Sequence, residues 1–334
     1  SSPGFTIQSI GGSGALIGSA PTSVTAGGIG FGDSRSGSIS FTNSGAITTT
    51  GINSTGVILQ SIAGGGLYTT SAGGNAIRLG GAVVGANDSG AISFSTTAPI
   101  ATASSNSAAV VAQSIAGGGG AVFGPTDASA PTITLGGGGI TAAENQAGAL
   151  NLNLNANLST YGDLSPAVMA QSIAGGGGYA PLPSNSASLG SIFGSDLNAG
   201  AVAIDLNADI LTTGFGSDGL LVQSIGAGGG RSGSAEGSVQ LGADGARGDA
   251  GTVTFNLTSL QPGNDGSIIT TGKQSPAFVL QSIGGGGGLV FPNANTSSGN
   301  LLLGGGDLGS QGQGAAINFT AGRRSRVITT GDGS

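Results

Sequence analysis

The tripeptide Gln-Ser-Ile occurs six times, each time at the end of a short hydrophobic stretch and before a run of glycines. Its glutamines are Gln8, Gln60, Gln113, Gln171, Gln223 and Gln281. Its isoleucines are Ile10, Ile62, Ile115, Ile173, Ile225 and Ile283. The copies lie 52, 53, 58, 52 and 58 residues apart. A nearly fixed period of this size is typical of repeat proteins, whose units bury their apolar faces by stacking on one another. We therefore interpret these positions as a structural repeat motif.

Composition allows a packed core, although one made of small residues. Charged residues make up 7% of the chain, against about 25% in an ordinary soluble domain. There are 71 glycines, which is compatible with a flexible linker, but 37% of the residues are apolar and they recur at strand-like positions. A disordered Gly/Ser linker lacks such regular apolar positions, so the composition favours a folded repeat.

Each repeat contains a pattern of four short strands. The first runs into the motif, as at 57–62, and the second ends in glycine, as at 77–80. The third alternates apolar and polar residues, as at 150–154, and the fourth carries threonines, as at 210–213. Alternation predicts one buried and one solvated face. The prevalence of Gly, Thr, Ser, Val and Ile, without helical periodicity, predicts β-structure throughout.

The first strand differs from the third because both of its faces are apolar or small. Along 57–62, residues Ile58, Gln60 and Ile62 point to one side and the other three to the opposite side. This pattern predicts a strand covered on two sides, the most buried element of the repeat. A buried glutamine must pair its amide, either with the glutamine of the next repeat or with neighbouring backbone. The glycines would allow close backbone approach or supply positive φ angles.

These patterns predict an all-β fold, a repetitive β-solenoid resembling a parallel β-helix. We expect one elongated array over residues 1–334, with six repeats of 52–58 residues that begin near the six glutamines. Each repeat could form one turn or two. Ser2 and the last residue, Ser334, occupy the same position of the repeat, so we expect this array to be a window of a longer protein.

Several kinds of chemistry are excluded by the residues that the chain lacks. It has no Cys and no His, which excludes disulfides, zinc–thiolate sites and imidazole catalysis. The net charge is -7 and Lys273 is the single lysine, so no basic field could attract nucleic acid. The arginines at 323, 324 and 326 are interpreted as a solvated rim. No apolar stretch reaches the roughly 18–20 residues of a membrane span, and no signal peptide is visible.

Four features could indicate a site, and each has a simpler structural explanation. Residues 247–249 spell Arg-Gly-Asp, the triplet that integrins read, but they align with polar turns. Residues 304–308 resemble calcium-binding Gly/Asp repeats without being in tandem. Asp205 and Asp209 are close only in one repeat, so paired-carboxylate catalysis is not favoured. The Thr-Thr pairs could form an ice-binding ladder, but other residues interrupt it. The sequence therefore predicts no catalytic, cofactor-binding or metal-binding residues, and no cofactor.

Two segments resemble a known class of bacterial proteins. Residues 112–120 read Ala-Gln-Ser-Ile followed by Ala and four glycines, and residues 266–272 fit Gly-x-Ile-x-Thr-Thr-Gly. They resemble the glycine-rich repeats in the passenger region of large autotransporter-like (type V secreted) surface proteins of Gram-negative bacteria. The resemblance implies a right-handed parallel β-helix that is exported through a C-terminal β-barrel. It also implies a place outside the cell or on its surface, in adhesion, biofilm or a surface layer.

Together, the repeats and the resemblance predict a non-enzymatic extracellular structural protein, a rod within a bacterial surface fibre or adhesin that could self-assemble into filaments. Its expected partners are other copies of itself or adjacent repeats of the same chain. One alternative is a ligand-specific adhesin whose variable loops, such as 123–131, bind a host or surface ligand. Another is a polysaccharide-acting β-helix enzyme, which the 4% aromatic content and the absence of Trp disfavour.

Overall fold

The protein is all-β, with parallel strand pairing throughout the part of the chain that the structure describes. The computed structural model describes residues 2–17, 23–26, 30–31, 33–69, 76–80, 83–123, 132–136, 144–181, 184, 186–190, 196–233, 237–242, 244–258, 266–291, 300–304 and 311–334. This arrangement of parallel sheets is consistent with a β-helix or solenoid-like fold.

Two six-stranded sheets contain the motif and the glycines that follow it. The Gln sheet consists of Phe5–Ile10, Val57–Ile62, Val110–Ile115, Val168–Ile173, Leu220–Ile225 and Phe278–Ile283. The Gly sheet consists of Gly14–Ile17, Gly66–Thr69, Gly119–Val122, Gly177–Ala180, Gly229–Gly233 and Gly287–Phe291. The sequence pattern predicted a close backbone approach or a corner at the glycines. It did not predict the sheet that they form.

Three further six-stranded sheets follow in chain order. The Leu sheet consists of Ser23–Ala26, Ala76–Leu79, Thr132–Leu135, Ser186–Leu189, Val239–Leu241 and Leu301–Leu303. The alternating sheet consists of Ile39–Asn43, Ile92–Thr96, Leu150–Leu154, Val202–Leu206, Val253–Leu257 and Ile317–Ala321. The Thr sheet consists of Ile47–Thr49, Ile100–Thr102, Leu158–Thr160, Ile210–Thr212, Ser267–Thr270 and Arg326–Thr329. Short strands connect the Leu and alternating sheets: Gly30–Phe31 with Val83–Val84, and Ser34–Arg35, Asn87–Asp88, Asn145–Gln146 and Leu197–Asn198.

Register is set by the repeat, because equivalent residues of successive motif copies lie side by side. Gln60 pairs with Gln8 on one side and with Gln113 on the other, and the same holds along the sheet. The predicted count of four strands per repeat is not confirmed, since five sheets contain six strands each. The prediction missed the Gly sheet because glycine has a low intrinsic preference for strands.

The Gln sheet lies between two hydrophobic cores. Val57 and Leu59 face a core shared with the alternating and Thr sheets, which includes Ile92. Ile58 faces a second core that includes Tyr179 of the Gly sheet. All six residues of the Val57–Ile62 strand are 0% exposed. The prediction of a strand covered on two sides is confirmed, and the cross-section is therefore layered around an internal sheet.

The Gly sheet is also internal, because the Leu sheet covers its other face. Val122 and Ala180 of the Gly sheet pack with Leu135 and Leu189 of the Leu sheet. The Leu150–Leu154 strand alternates between buried and exposed residues, as the sequence predicted for the third strand. The outer sheets thus carry polar residues on one face, whereas the two internal sheets carry small or apolar residues on both, apart from the motif glutamines and Arg231.

One position of the turn that follows each strand of the Thr sheet is left-handed in all six copies of that turn. Its φ angles lie between 52° and 71° at Asn53, Asn106, Leu164, Gly216, Gln274 and Gly333. Asparagine and glycine tolerate this region, whereas other residues are strained by about 1–2 kcal/mol. Gln274 carries that strain, and its buried Oε1 has no hydrogen-bond partner.

We expect Gln274→Gly to stabilise the protein by up to about 1 kcal/mol, because glycine removes the strain at some cost in chain entropy. Urea unfolding followed by circular dichroism measures the change. The control is Gln240→Gly in a Leu-sheet strand without positive φ, which should destabilise by about 0.5–1 kcal/mol. Destabilisation by both substitutions to the same extent would contradict the assignment of strain.

Candidate functional site

The glutamines of the motif form one continuous amide ladder inside the protein. Each Nε2 donates to the Oε1 of the next glutamine towards the C-terminus. The N···O distances are 2.7 Å for Gln8 to Gln60, Gln60 to Gln113 and Gln113 to Gln171, and 2.6 Å for Gln171 to Gln223 and Gln223 to Gln281. In the last four glutamines, Nε2 also donates to the carbonyl of the glycine seven residues later in the chain. The Nε2···O distance from Gln113 to Gly120 is 3.4 Å. Both pairings left open by the sequence therefore occur.

The isoleucines of the motif form a column of their own. Ile62, Ile115, Ile173 and Ile225 are 0% exposed and contact one another, and Ile283 packs against them partly exposed. The column fits tightly under the Gly sheet, because a Cβ added at Gly66 would lie 2.8 Å from Cγ2 of Ile62. The motif isoleucines thus fill the core and reach no described cavity.

The serine of the motif has a role that the sequence analysis missed. Ser114 Oγ lies 2.8 Å from Ser89 Oγ and accepts from the backbone N–H of Gly148 at 2.8 Å. Ser61 is bonded in the same way, to Ser36 of the polar turn before it and to the N–H of Gly90 in the polar turn after it. The motif serines therefore attach both turns to the Gln sheet. Four of them lie 24 residues after the turn glycine whose carbonyl they contact, and this spacing could have indicated the role.

Removing one amide from the ladder should leave two buried groups unpaired. We expect Gln113→Leu to destabilise the protein by about 2–6 kcal/mol, since Gln60 Nε2 loses its acceptor, Gln171 Oε1 loses its donor and each costs about 1–3 kcal/mol. Urea unfolding measures the loss. Gln146→Leu at an exposed position is the control and should change stability by less than about 0.5 kcal/mol. Equal effects would mean that the ladder contributes nothing.

Among the described residues, the core encloses two charged side chains, and these form an ion pair. Arg231 Nη1 lies 2.5 Å from Asp218 Oδ2, and both side chains are 0% exposed. The other terminal nitrogen, Nη2, donates to the carbonyl of Gly216 at 3.0 Å. The guanidinium stacks on the rings of Tyr179 and Phe291, at 5.5 and 4.2 Å from their centroids. Nothing in the sequence pattern indicated this pair, because its two residues are 13 positions apart and unique to one repeat.

Burial changes the acidity of the groups around this pair. Desolvation raises the pKa of Asp218 to about 6, although the Arg231 charge lowers it in part. Desolvation likewise raises the pKa of Tyr179 to about 12. At neutral pH the pair is therefore ionic and the phenol is neutral. Both side chains are fully enclosed among the described residues, which suits a structural role for the pair.

The raised pKa has a consequence for stability at mildly acidic pH. Between about pH 4 and pH 6 the folded protein holds a proton on Asp218 that the unfolded chain has released, so raising the pH through this window lowers stability. We expect wild type to lose stability relative to Asp218→Asn as the pH rises from 4 to 7. Urea unfolding at both pH values measures it. A shift in favour of wild type would show that Arg231 outweighs desolvation.

The Arg-Gly-Asp triplet lies in an extended segment between two neighbouring repeats. Arg247 and Asp249 are exposed, and Gly248 between them is buried. Asp249 Oδ1 accepts from the backbone N–H of Gln313 at 2.7 Å, and the Arg247 carbonyl accepts from Leu197 N–H at 2.9 Å. The triplet borders a shallow cavity of about 250 Å³. Its acidic side chain is thus engaged in holding adjacent strands together.

The other candidates of the sequence analysis do not converge on one place. Asp205 Oδ1 accepts from Asn256 at 2.8 Å, and Asp209 Oδ1 accepts from Ser267 Oγ at 2.7 Å. Each carboxylate therefore bonds the following repeat. The 304–308 segment lies outside the described residues except for its first glycine, and the 123–131 loop does so except for Phe123. The arginines at 323, 324 and 326 are exposed.

The threonine that recurs in the Thr sheet points inward. Its hydroxyl donates to the carbonyl five residues on, as from Thr102 to Ser107 at 2.5 Å and from Thr160 to Ser165 at 2.6 Å. The same bond occurs from Thr212 to Ser217. These threonines close the turn before the Gln sheet, whereas the outward neighbours in two of these strands are Ala101 and Leu211. An exposed threonine ladder is therefore not formed.

The described residues contain no group of three acidic, His or Cys side chains that could hold a metal ion. A helix long and apolar enough to cross a membrane is likewise not found among them. The chain matches no protein-family model, no curated protein and no solved structure. Its function must therefore be argued from its own geometry.

Proposed function

We propose that the chain is a six-turn β-solenoid with one turn per repeat, and that it acts as a non-enzymatic structural rod. The observation that carries the proposal is the amide ladder, which runs through all six motif copies in one direction. In a repeat array, stability is roughly the sum of repeat and interface terms, so length follows copy number. The ladder adds a buried bond at each interface.

The proposal also assigns the rod to a fibre or adhesin outside the cell or on a bacterial surface. Its support is the resemblance of the glycine-rich repeats to autotransporter-like passenger regions, together with the use of the candidate carboxylates in bonds between repeats. Low charge suits close packing of one rod against another. Adjacent repeats of the same chain, or other copies of it, are the partners that this role requires.

A tandem chain tests whether length is set by copy number. Ser334 Oγ accepts from Ser275 N–H just as Ser54 Oγ accepts from Ser2 N–H, so joining Ser334 to Pro3 of a second copy preserves the register. We expect small-angle X-ray scattering of this tandem chain to show a particle longer by about 29 Å, at about 4.8 Å per turn. Two lobes that lie side by side without that increase would overturn the rod.

A further inference from the structure

The outward side chains of the alternating sheet form a polar face, which we call the outer face. Its two rows run across six strands and consist of Ser40, Ser93, Asn151, Ala203, Thr254 and Asn318, and of Thr42, Ser95, Asn153, Asp205, Asn256 and Thr320. All are exposed or half-buried. Every member is short, and ten of the twelve carry a neutral hydroxyl or amide group.

The near absence of charge on the outer face is unusual for a surface in water. Soluble surfaces are typically about 25–35% Lys, Arg, Glu and Asp. Here Asp205 is the single charged member, and its Oδ1 accepts from Asn256 Nδ2 at 2.8 Å. Two such faces could therefore approach each other with little charge repulsion.

We propose that the outer face packs against the outer face of a second copy of this chain. Within each row the side chains repeat at the strand spacing of about 4.8 Å, and a second copy presents the same interval, so the side chains of one copy can lie between those of its partner. Short side chains interdigitate at such interfaces, and stacked amides strengthen them. Hydroxyl and amide groups both donate and accept, so a face of this kind is complementary to itself.

The size of the face sets the strength of the association. Six strands at about 4.8 Å, each with five residues of about 3.3 Å, cover about 500 Å² per copy. Two copies would bury about 1,000 Å², near the lower limit for a specific interface. The six-turn chain should therefore associate weakly, and longer arrays more strongly. This inference rests on the proposed solenoid rod, whose length is tested separately by the tandem chain.

Sedimentation equilibrium of three proteins tests the outer face. Wild type should dimerise reversibly at high micromolar concentration, and Asn151→Lys/Asn153→Lys, which places two charges at the centre of the face, should weaken dimerisation at least tenfold. The control, Thr134→Lys/Ser188→Lys, adds the same charges to outward positions of the Leu sheet and should dimerise like wild type. Circular dichroism should show that all three are folded.

Two outcomes would overturn the outer face as a site for a second copy. One is dimerisation that is equal in all three proteins, which would place the contact elsewhere and leave the rod intact. The other is a wild type that stays monomeric at millimolar concentration. If that monomer binds soluble hydroxyethyl cellulose and Asn151→Lys/Asn153→Lys does not, the face takes a neutral polysaccharide instead.

Discussion

Replacing Gly229 with alanine should destabilise the protein by more than about 4 kcal/mol, a loss reserved for severe structural conflict. A Cβ at this position would lie 1.8 Å from the carbonyl oxygen of Gly287 in the next repeat, and the φ angle of Gly229 is 135°. Both the steric conflict and the backbone conformation oppose any side chain. The Gly sheet is internal, so neither neighbouring strand can move away.

Gly45→Ala is the matched control for Gly229→Ala. Its added Cβ would meet no atom within 4 Å and its φ is not in the left-handed region, so stability should change by less than about 0.5 kcal/mol. Urea unfolding compares the two variants with wild type. A Gly229→Ala protein as stable as the Gly45→Ala protein would mean that the Gly sheet can open to admit a side chain.

Breaking the buried ion pair should be nearly as damaging. We expect Arg231→Leu and Asp218→Ala each to cost about 3–5 kcal/mol, because each leaves its ionisable partner enclosed without a counter-ion. The double variant should return to within about 1 kcal/mol of wild type, since well-packed apolar residues often replace buried pairs without loss. Leu289 and Ala108 already occupy the equivalent positions of other repeats.

The double-mutant comparison distinguishes pairing from packing. If the two single losses simply add in the double variant, Arg231 and Asp218 act independently and the pair contributes no coupling. Arg35→Leu is the control for loss of an arginine, because its ion pair with Asp88 at 3.5 Å is exposed. Such pairs contribute about 0–1 kcal/mol, so that variant should remain close to wild type in urea unfolding.

Much of the internal arrangement could be predicted from the repeated sequence. The two apolar faces of 57–62 predicted a covered strand, and Gln60 had to pair because a buried amide without a partner is costly. Spacing between the motif copies predicted that equivalent residues would meet. The ion pair could not be predicted in this way, because Asp218 and Arg231 interrupt the repeat and their contact depends on how the turn folds back.

The sequence by itself determined the period, the β-structure, the buried glutamines and the alternation of the outer strands, because these depend on local pattern and repetition. Only the tertiary structure decided that the glycine run is itself a strand. Glycine has little intrinsic preference for strands, and here the run forms one because it fits between the Gln sheet and the Leu sheet. It also decided that the motif strand divides two cores and that the recurring threonines point inward. Those features depend on which sheets meet across the turn, and a linear pattern does not contain that information.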